Sequence, residues 1–316
     1  MKKTIFTIIL LLFTLFLVSC NTKRYEYIEG KINVTATTNI MGDLAFSIGG
    51  NKVSVYNLMD AGVDPHSYIP RPGDYNALGR ADIILVSGLH LEAQMGEIFN
   101  EYQSIKPIIN IGQELLASNL GSRLIESSEF GGNYDPHFWF DITLYKKAAE
   151  IFAAALIDYD PINKDYYLIN LSSYLEQLDD LSNKVFNQLK QLGSTPRILV
   201  SAHDAFSYLE LEHNFKVYAL QGLSTEDEIS PSDIIEIATI VIENNVSAIF
   251  PETSVPIETI TALSEAILNH KDGFEITIGG KLYSDSMGNS NDDNTYLKMY
   301  LKNINTIVDA LLESRG

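Results

Sequence analysis

Cysteine is almost missing from this chain: Cys20 is the only one in 316 residues, so no internal disulfide can staple the fold. Basic residues are scarce as well. Lys and Arg number 22 against 41 Asp and Glu, for a net charge of -19. A surface this acidic excludes nucleic acid as a partner, because phosphates need cationic neighbours. It suits attraction of cations, although high negative charge also serves solubility. The one long apolar run, residues 5–18, is too short for a comfortable membrane span. Also absent are an H-E-x-x-H helix, a G-x-S-x-G elbow, a Walker loop and a G-x-G-x-x-G turn, so the compact signatures of several enzyme classes are lacking. What remains is 46% hydrophobic and 20% charged, the composition of a globular protein of about two domains.

The amino terminus reads as a targeting segment. Lys2 and Lys3 precede the apolar run, which ends in Leu17-Val18-Ser19-Cys20. Small residues before a cysteine resemble the lipobox of bacterial lipoproteins. On that reading residues 1–19 are a signal peptide and Cys20 carries lipid, and residues 20–30 form a polar tether. The body then lies outside the cytoplasm, membrane-anchored, in the periplasm or at the cell surface. An uncleaved anchor or a buried cysteine is the alternative.

The stretch from 160 to 193 organises the remainder. Asp160-Pro161 offers a cap followed by a proline at the first helical position. Leu168, Leu171, Leu175, Leu178, Leu181, Val185, Leu189 and Leu192 then recur at three- and four-residue steps. Gly193 supplies a stop and Pro196 lies just past it. The spacing predicts a helix roughly 45–50 Å long, more than one small domain needs. Strand–helix alternation flanks it on both sides. The expected fold is therefore α/β: an N-terminal lobe over 31–159, a connecting helix over 160–193 and a C-terminal lobe over 194–316, each lobe with a mainly parallel sheet flanked by helices.

In the first lobe, strands are expected at 32–37, 53–58, 83–87 and 108–111, with Asn39 capping the first helix and Asp141 capping a later one. In the second, strands are expected at 197–202, 215–220, 246–250 and 274–282, the last kinked by Gly279-Gly280. Ser230-Pro231-Ser232-Asp233 should open a helix as a capping box. The polar run 289–294 lacks calcium-loop spacing, so Asp293 or Asn294 is expected to cap the terminal helix.

Asp-Pro-His occurs twice, at Asp64-Pro65-His66 and Asp135-Pro136-His137. Proline stiffens each loop and presents the histidine from a fixed backbone. The preceding aspartates either accept a ring N–H and set the tautomer, as metal-bound imidazoles require, or serve as turn formers and caps. His203 follows a strand directly, where open α/β sheets bind ligands. Asp285 lies just beyond the last strand and by itself suits a turn. His90, His213 and His270 have no such setting. If both sheets aim their carboxyl edges at one cleft, His66, His137, His203 and Asp285 can converge on a single divalent ion.

These residues carry a resemblance. Asp64-Pro65-His66-Ser67-Tyr68, Ser87-Gly88-Leu89-His90-Leu91-Glu92, Asp135-Pro136-His137-Phe138-Trp139-Phe140-Asp141, His203-Asp204-Ala205-Phe206, Gln221-Gly222-Leu223-Ser224-Thr225 and Leu282-Tyr283-Ser284-Asp285-Ser286-Met287-Gly288 resemble the metal-binding solute receptors of bacterial ABC importers, the TroA-like and ZnuA-like periplasmic group. The likeness covers nearly everything after Cys20. It implies two α/β lobes, a long connecting helix and a metal bound between the lobes by His66, His137, His203 and Asp285. It also implies delivery to an ABC permease with its cytoplasmic ATPase, by a protein that works as a monomer, is not an enzyme and needs no organic cofactor.

Zinc and manganese are the expected cargoes. Manganese-dedicated relatives often have a glutamate where His203 stands, and a third imidazole favours zinc. Zinc-dedicated relatives often carry a histidine-rich loop, whereas residues 118–134 here hold no histidine, so manganese stays open and iron is a lesser alternative. Two other readings compete. One is a surface adhesin with a structural metal. The other is a zinc hydrolase using Glu252 or Asp204 as base.

Overall fold

The computed structural model describes residues 25–127 and 133–313. The expected signal peptide, the Cys20 lipidation site and the start of the tether lie outside them, as do Ser128, Gly131 and Gly132. No helix among the described residues is long and apolar enough to cross a membrane.

The chain opens with β1 (Ile32–Thr38), α1 (Asn39–Gly49), β2 (Val53–Met59), α2 (Pro72–Arg80), β3 (Ile83–Val86), α3 (Gly96–Tyr102), β4 (Ile108–Asn110) and α4 (Ile111–Ala117). The four strands form one parallel sheet in the order β2-β1-β3-β4. Every residue of β1 is buried, as a strand covered on both faces requires. A two-residue ribbon, β5 (Glu126–Ser127) with β6 (Asn133–Tyr134), leads to α5 (Ile142–Tyr159). Asp141 caps α5 by accepting from Leu144 N. The cap of α1 differs from expectation: Thr38, one residue earlier, accepts from Met41 N, which leaves the side chain of Asn39 free for other work.

The connecting helix, α6 (Lys164–Lys190), is preceded by a 3-10 turn at Pro161–Asn163. Its 27 residues span about 40 Å, somewhat less than the sequence periodicity suggested. Ahead of it the Asp160 carboxylate accepts from the Asn163 side chain and the Tyr167 hydroxyl. The buried stripe is Tyr167, Tyr174, Leu178, Leu181, Val185 and Leu189, and Leu168 stands exposed beside it. At the far end Gly193 takes a left-handed φ of +55°, a conformation open to glycine.

The second lobe holds β7 (Ile198–His203), α7 (Tyr208–His213), β8 (Lys216–Gln221), α8 (Pro231–Glu243), β9 (Ala248–Ile249), α9 (Glu258–His270), β10 (Thr277–Ile278) and α10 (Tyr296–Glu313). β7 pairs with β8 and β9 with β10, both parallel. Phe250 N donates to Val200 O at 2.8 Å and joins the two pairs. The capping box of α8 forms between Ser230 and Asp233. The strand expected over 274–282 shrinks to two residues plus a bridge between Glu252 and Leu282. Gly279 still donates to Ile249 O at 2.9 Å, and only glycine fits there, since a Cβ would lie 2.5 Å from the Phe250 ring. The terminal helix is likewise not capped by Asp293 or Asn294. Asp43 of α1 accepts from Tyr296 N at 2.9 Å, while Asp293 is taken up by Ser290 N, the Tyr283 hydroxyl and Lys302.

One apolar cluster runs from Val34 and Tyr145 through Leu178 to Leu199, Tyr296 and Leu311, and so includes both lobes and the connecting helix. Tyr145 and Tyr296 stack across it at 3.6 Å. The lobes share a core, and this fixes how their sheet edges face each other.

Candidate metal centre

His66 lies in the loop after β2, and His137 precedes the 3-10 turn Phe138–Phe140. His203 is the last residue of β7, and Asp285 follows the Leu282 bridge. All four are buried, and one candidate donor atom from each lies within 4.8 Å of the others. The separations are informative. His137 Nε2 is 3.4 Å from His203 Nε2 and 3.2 Å from Asp285 Oδ1. His66 Nε2 is 3.5 Å from Asp285 Oδ1, and His203 Nε2 is 3.6 Å from Asp285 Oδ2. Donors placed tetrahedrally at about 2.1 Å from one ion stand about 3.4 Å apart. His66 Nε2 and Asp285 Oδ1 are buried without a hydrogen-bond partner, an arrangement that is costly unless something fills the centre. Asp285 Oδ2 is engaged by the hydroxyls of Ser254 at 2.7 Å and Ser284 at 3.0 Å, so Oδ1 is the oxygen free to face an ion.

The two Asp-Pro-His segments are not equivalent. Asp135 Oδ1 accepts both the backbone N–H of His137 at 2.9 Å and its ring Nδ1–H at 2.8 Å. That fixes the tautomer with the Nε2 lone pair turned inward. Asp64 acts as a turn former: it accepts from His66 N and Ser67 Oγ, and from Thr225 Oγ1 of the other lobe at 2.6 Å. Together with the Gln94–Glu226 pair at 3.0 Å, this bond links the two lobes.

Glu252 was visible in the sequence only as a possible base. Its Oε1 accepts from Ala202 N at 2.8 Å and His203 N at 2.9 Å. Its Oε2 stands 2.6 Å from His203 Nδ1, off the axis of a linear hydrogen bond, so charge attraction holds the contact. It thus sets a carboxylate against the Nδ1 side of His203, as Asp135 does for His137, but by charge contact rather than by a linear hydrogen bond. The signal was Pro251-Glu252 at a strand's carboxyl end. The other suggested base, Asp204, accepts from Ser207 Oγ. Burial pushes it up to about 6, with Asp135 adding to the effect. His213 is bound to the Tyr300 hydroxyl, and neither it, His90 nor His270 belongs to the donor cluster.

The cluster is strongly polarised. Burial opposes charge on His137, but Asp135 and Asp285 outweigh it and lift the ring to about 9. Burial is likewise overcome at His203 by Glu252 and Asp285, which raise it well above the ordinary imidazole value. Asp285 is held far below the carboxylate range: burial pushes it up, and His203, His137 and His66 outweigh that. These carboxylates favour protons on the rings of His137 and His203, with which a cation entering the centre would compete.

Residues 34–310 match the sequence profile of the family described as "Zinc-uptake complex component A periplasmic". The chain belongs to this family. Among its relatives, the zinc-binding protein TroA of Treponema pallidum (strain Nichols) is 36% identical over 284 residues, 90% of each chain. The manganese-binding lipoprotein MntA of Bacillus subtilis (strain 168) is 38% identical with the same coverage. The solved structure of periplasmic zinc-binding TroA superposes with a TM-score of 0.84 over 89% of this chain and 99% of that one, at 35% identity. Fe(III)-bound YtgA of Chlamydia trachomatis superposes at 0.78 over 89% and 98%, at 25% identity. Members of the family thus share this two-lobed frame, while their names and titles record different metals.

Proposed function

We propose that this family member is an extracytoplasmic solute-binding lipoprotein that captures a divalent transition metal between its lobes and hands it to an ABC permease. The carrying observation is the convergence of His66, His137, His203 and Asp285, whose candidate donor atoms lie within 4.8 Å of one another, His137 Nε2 being 3.4 Å from His203 Nε2 and 3.2 Å from Asp285 Oδ1. His66, His137 and His203 bind as neutral imidazoles and Asp285 through Oδ1. Three nitrogens and one oxygen suit zinc and also accept manganese, with zinc slightly favoured. The relatives named for zinc and for manganese, and the iron-bound neighbour, support a metal cargo and leave the choice among metals to experiment.

Four protein donors around a tetrahedral ion leave no open coordination position, which suits carriage rather than hydrolysis. Lipid on Cys20 holds the protein at the membrane, where it acts as a monomer beside a permease driven by a cytoplasmic ATPase. The shared core and α6 resist a wide hinge opening. Release proceeds by loosening the interlobe bonds and the Asp285 loop when the permease engages both lobes. The test is elemental analysis of the protein purified from its native host, with direct competition between zinc and manganese. Growth of a deletion strain under chelation separates import from adhesion. Protein free of transition metal, together with unimpaired growth, would refute the reading.

A further inference from the structure

The loop bearing Asp285 passes between the lobes, and Trp139 Nε1 of the first lobe donates to Ser284 O at 2.9 Å just before the carboxylate. On its amino-terminal side it is tied mainly to the second lobe: Leu282 N donates to Pro251 O, Thr253 N donates to Leu282 O, and Asn303 brackets Tyr283 through both N and O. At Ser286 and Met287 the partners belong to the first lobe, before Gly288 N and Ser290 N turn back to Asp293. Gly62 N donates to Ser286 Oγ at 2.9 Å. Met287 N donates to Asn39 Oδ1 at 2.9 Å, and Asn39 Nδ2 donates to Met287 O at 3.0 Å.

Asn39 is the first residue of α1 and is buried. Its carboxamide pairs with both backbone groups of one residue, and only a planar amide carries a donor and an acceptor suited to that. Two such bonds set the position and the orientation of Met287, two residues past the carboxylate. Thr38 already caps α1, so the side chain of Asn39 has no local task, and alanine would favour the helix more than asparagine does. Its recorded hydrogen bonds all run to Met287, 248 positions away.

We infer that Asn39 is a positioning residue for the fourth ligand: it pins the Asp285 loop to the first lobe, so that Oδ1 meets the ion without searching for it. This rests on the assignment of Asp285 as a ligand.

The test is a double-mutant cycle read as Zn2+ affinity by chelator competition, with Asn39→Ala, Asp285→Ala and the pair. Outer-shell groups of this kind change metal affinity by roughly 10–100-fold. Asn39→Ala should lower affinity by that factor, through faster release, and should cost nothing further once Asp285 is alanine. An equal loss in both backgrounds, or affinity within twofold of the parent, would overturn the inference. Should Asp285→Ala leave affinity unchanged, the ligand assignment itself fails and the role of Asn39 falls with it. The isosteric Asn39→Asp, which keeps the acceptor and loses the donor, guards against a folding defect. With Co2+ bound, its visible spectrum should move toward that of Asp285→Ala, and an unaltered spectrum counts against the clasp.

Discussion

Replacing Glu252 by Gln is the sharpest test of how the site is built. Oε1 of Glu252 accepts two backbone N–H groups, and Oε2 faces His203 Nδ1 at 2.6 Å. A glutamine has one oxygen for these two duties. If that oxygen keeps the backbone bonds, the amide NH2 meets Nδ1. The ring must then accept there and carry its proton on Nε2, where the metal should bind. If the amide flips, its hydrogens confront two buried N–H donors. Either outcome also removes the charge that favours donation from Nδ1. Losses of roughly 10–100-fold in metal affinity, or about 1.4–2.7 kcal/mol, are expected. Asp135→Asn provides the internal comparison. A single oxygen, Oδ1, serves both the backbone N–H and the ring of His137, so asparagine can keep both bonds with its carbonyl. Its loss should be clearly smaller than that of Glu252→Gln. Competition with a chromophoric chelator measures both variants, and circular dichroism confirms folding. Equal losses, or affinity for Glu252→Gln within twofold of the parent, would refute the tautomer argument.

Metal uptake should release about one to two protons near pH 7, because Asp135 and Asp285 lift His137 to about 9, and Glu252 and Asp285 raise His203 well above the ordinary imidazole value; calorimetry in buffers of different ionisation enthalpy that shows none would contradict this. Affinity should accordingly rise with pH up to about 9. The metal-free protein runs the other way. The raised value of His137 stabilises the fold by roughly 3 kcal/mol at most below its ordinary range near 6.5, and that contribution is lost as pH rises through about 9. The depressed value of Asp285 acts above the carboxylate range and is lost only as pH falls well below it. Thermal melts of chelator-stripped protein at pH 6 and 9.5 check the first of these, and equal or higher stability at pH 9.5 would oppose it. His66→Ala should cut metal affinity steeply while the fold persists, and unchanged stoichiometry and affinity by calorimetry would remove His66 from the site. Cys20→Ser should free the protein from membrane fractions, with continued retention pointing to the amino-terminal segment as the anchor.

The parts of this protein that follow from local rules were legible without coordinates. Parallel strands announced themselves as a β-branched alternation at 32–37 and an apolar run at 83–87, α6 as a helical period, and the Ser230 and Asp141 caps by residue type. The candidate donors were readable because rigid Asp-Pro-His loops and a histidine at a strand end are local patterns. Everything that depended on a partner far along the chain was not. Asp64 and Asp135 share one tripeptide, yet only Asp135 bonds the ring of its histidine, while Asp64 bonds Ser67 and Thr225 of the other lobe. The first N–H of α10 is taken up by Asp43, more than 250 positions away, beside the local cap Thr295, and Gly279 is required because the Phe250 ring fills the space where a Cβ would stand. Sequence by itself determined which side chains are able to bind a cation. Only the tertiary structure decided which oxygen holds which nitrogen, because a hydrogen bond is set by distances of about 3 Å that no spacing along a chain encodes.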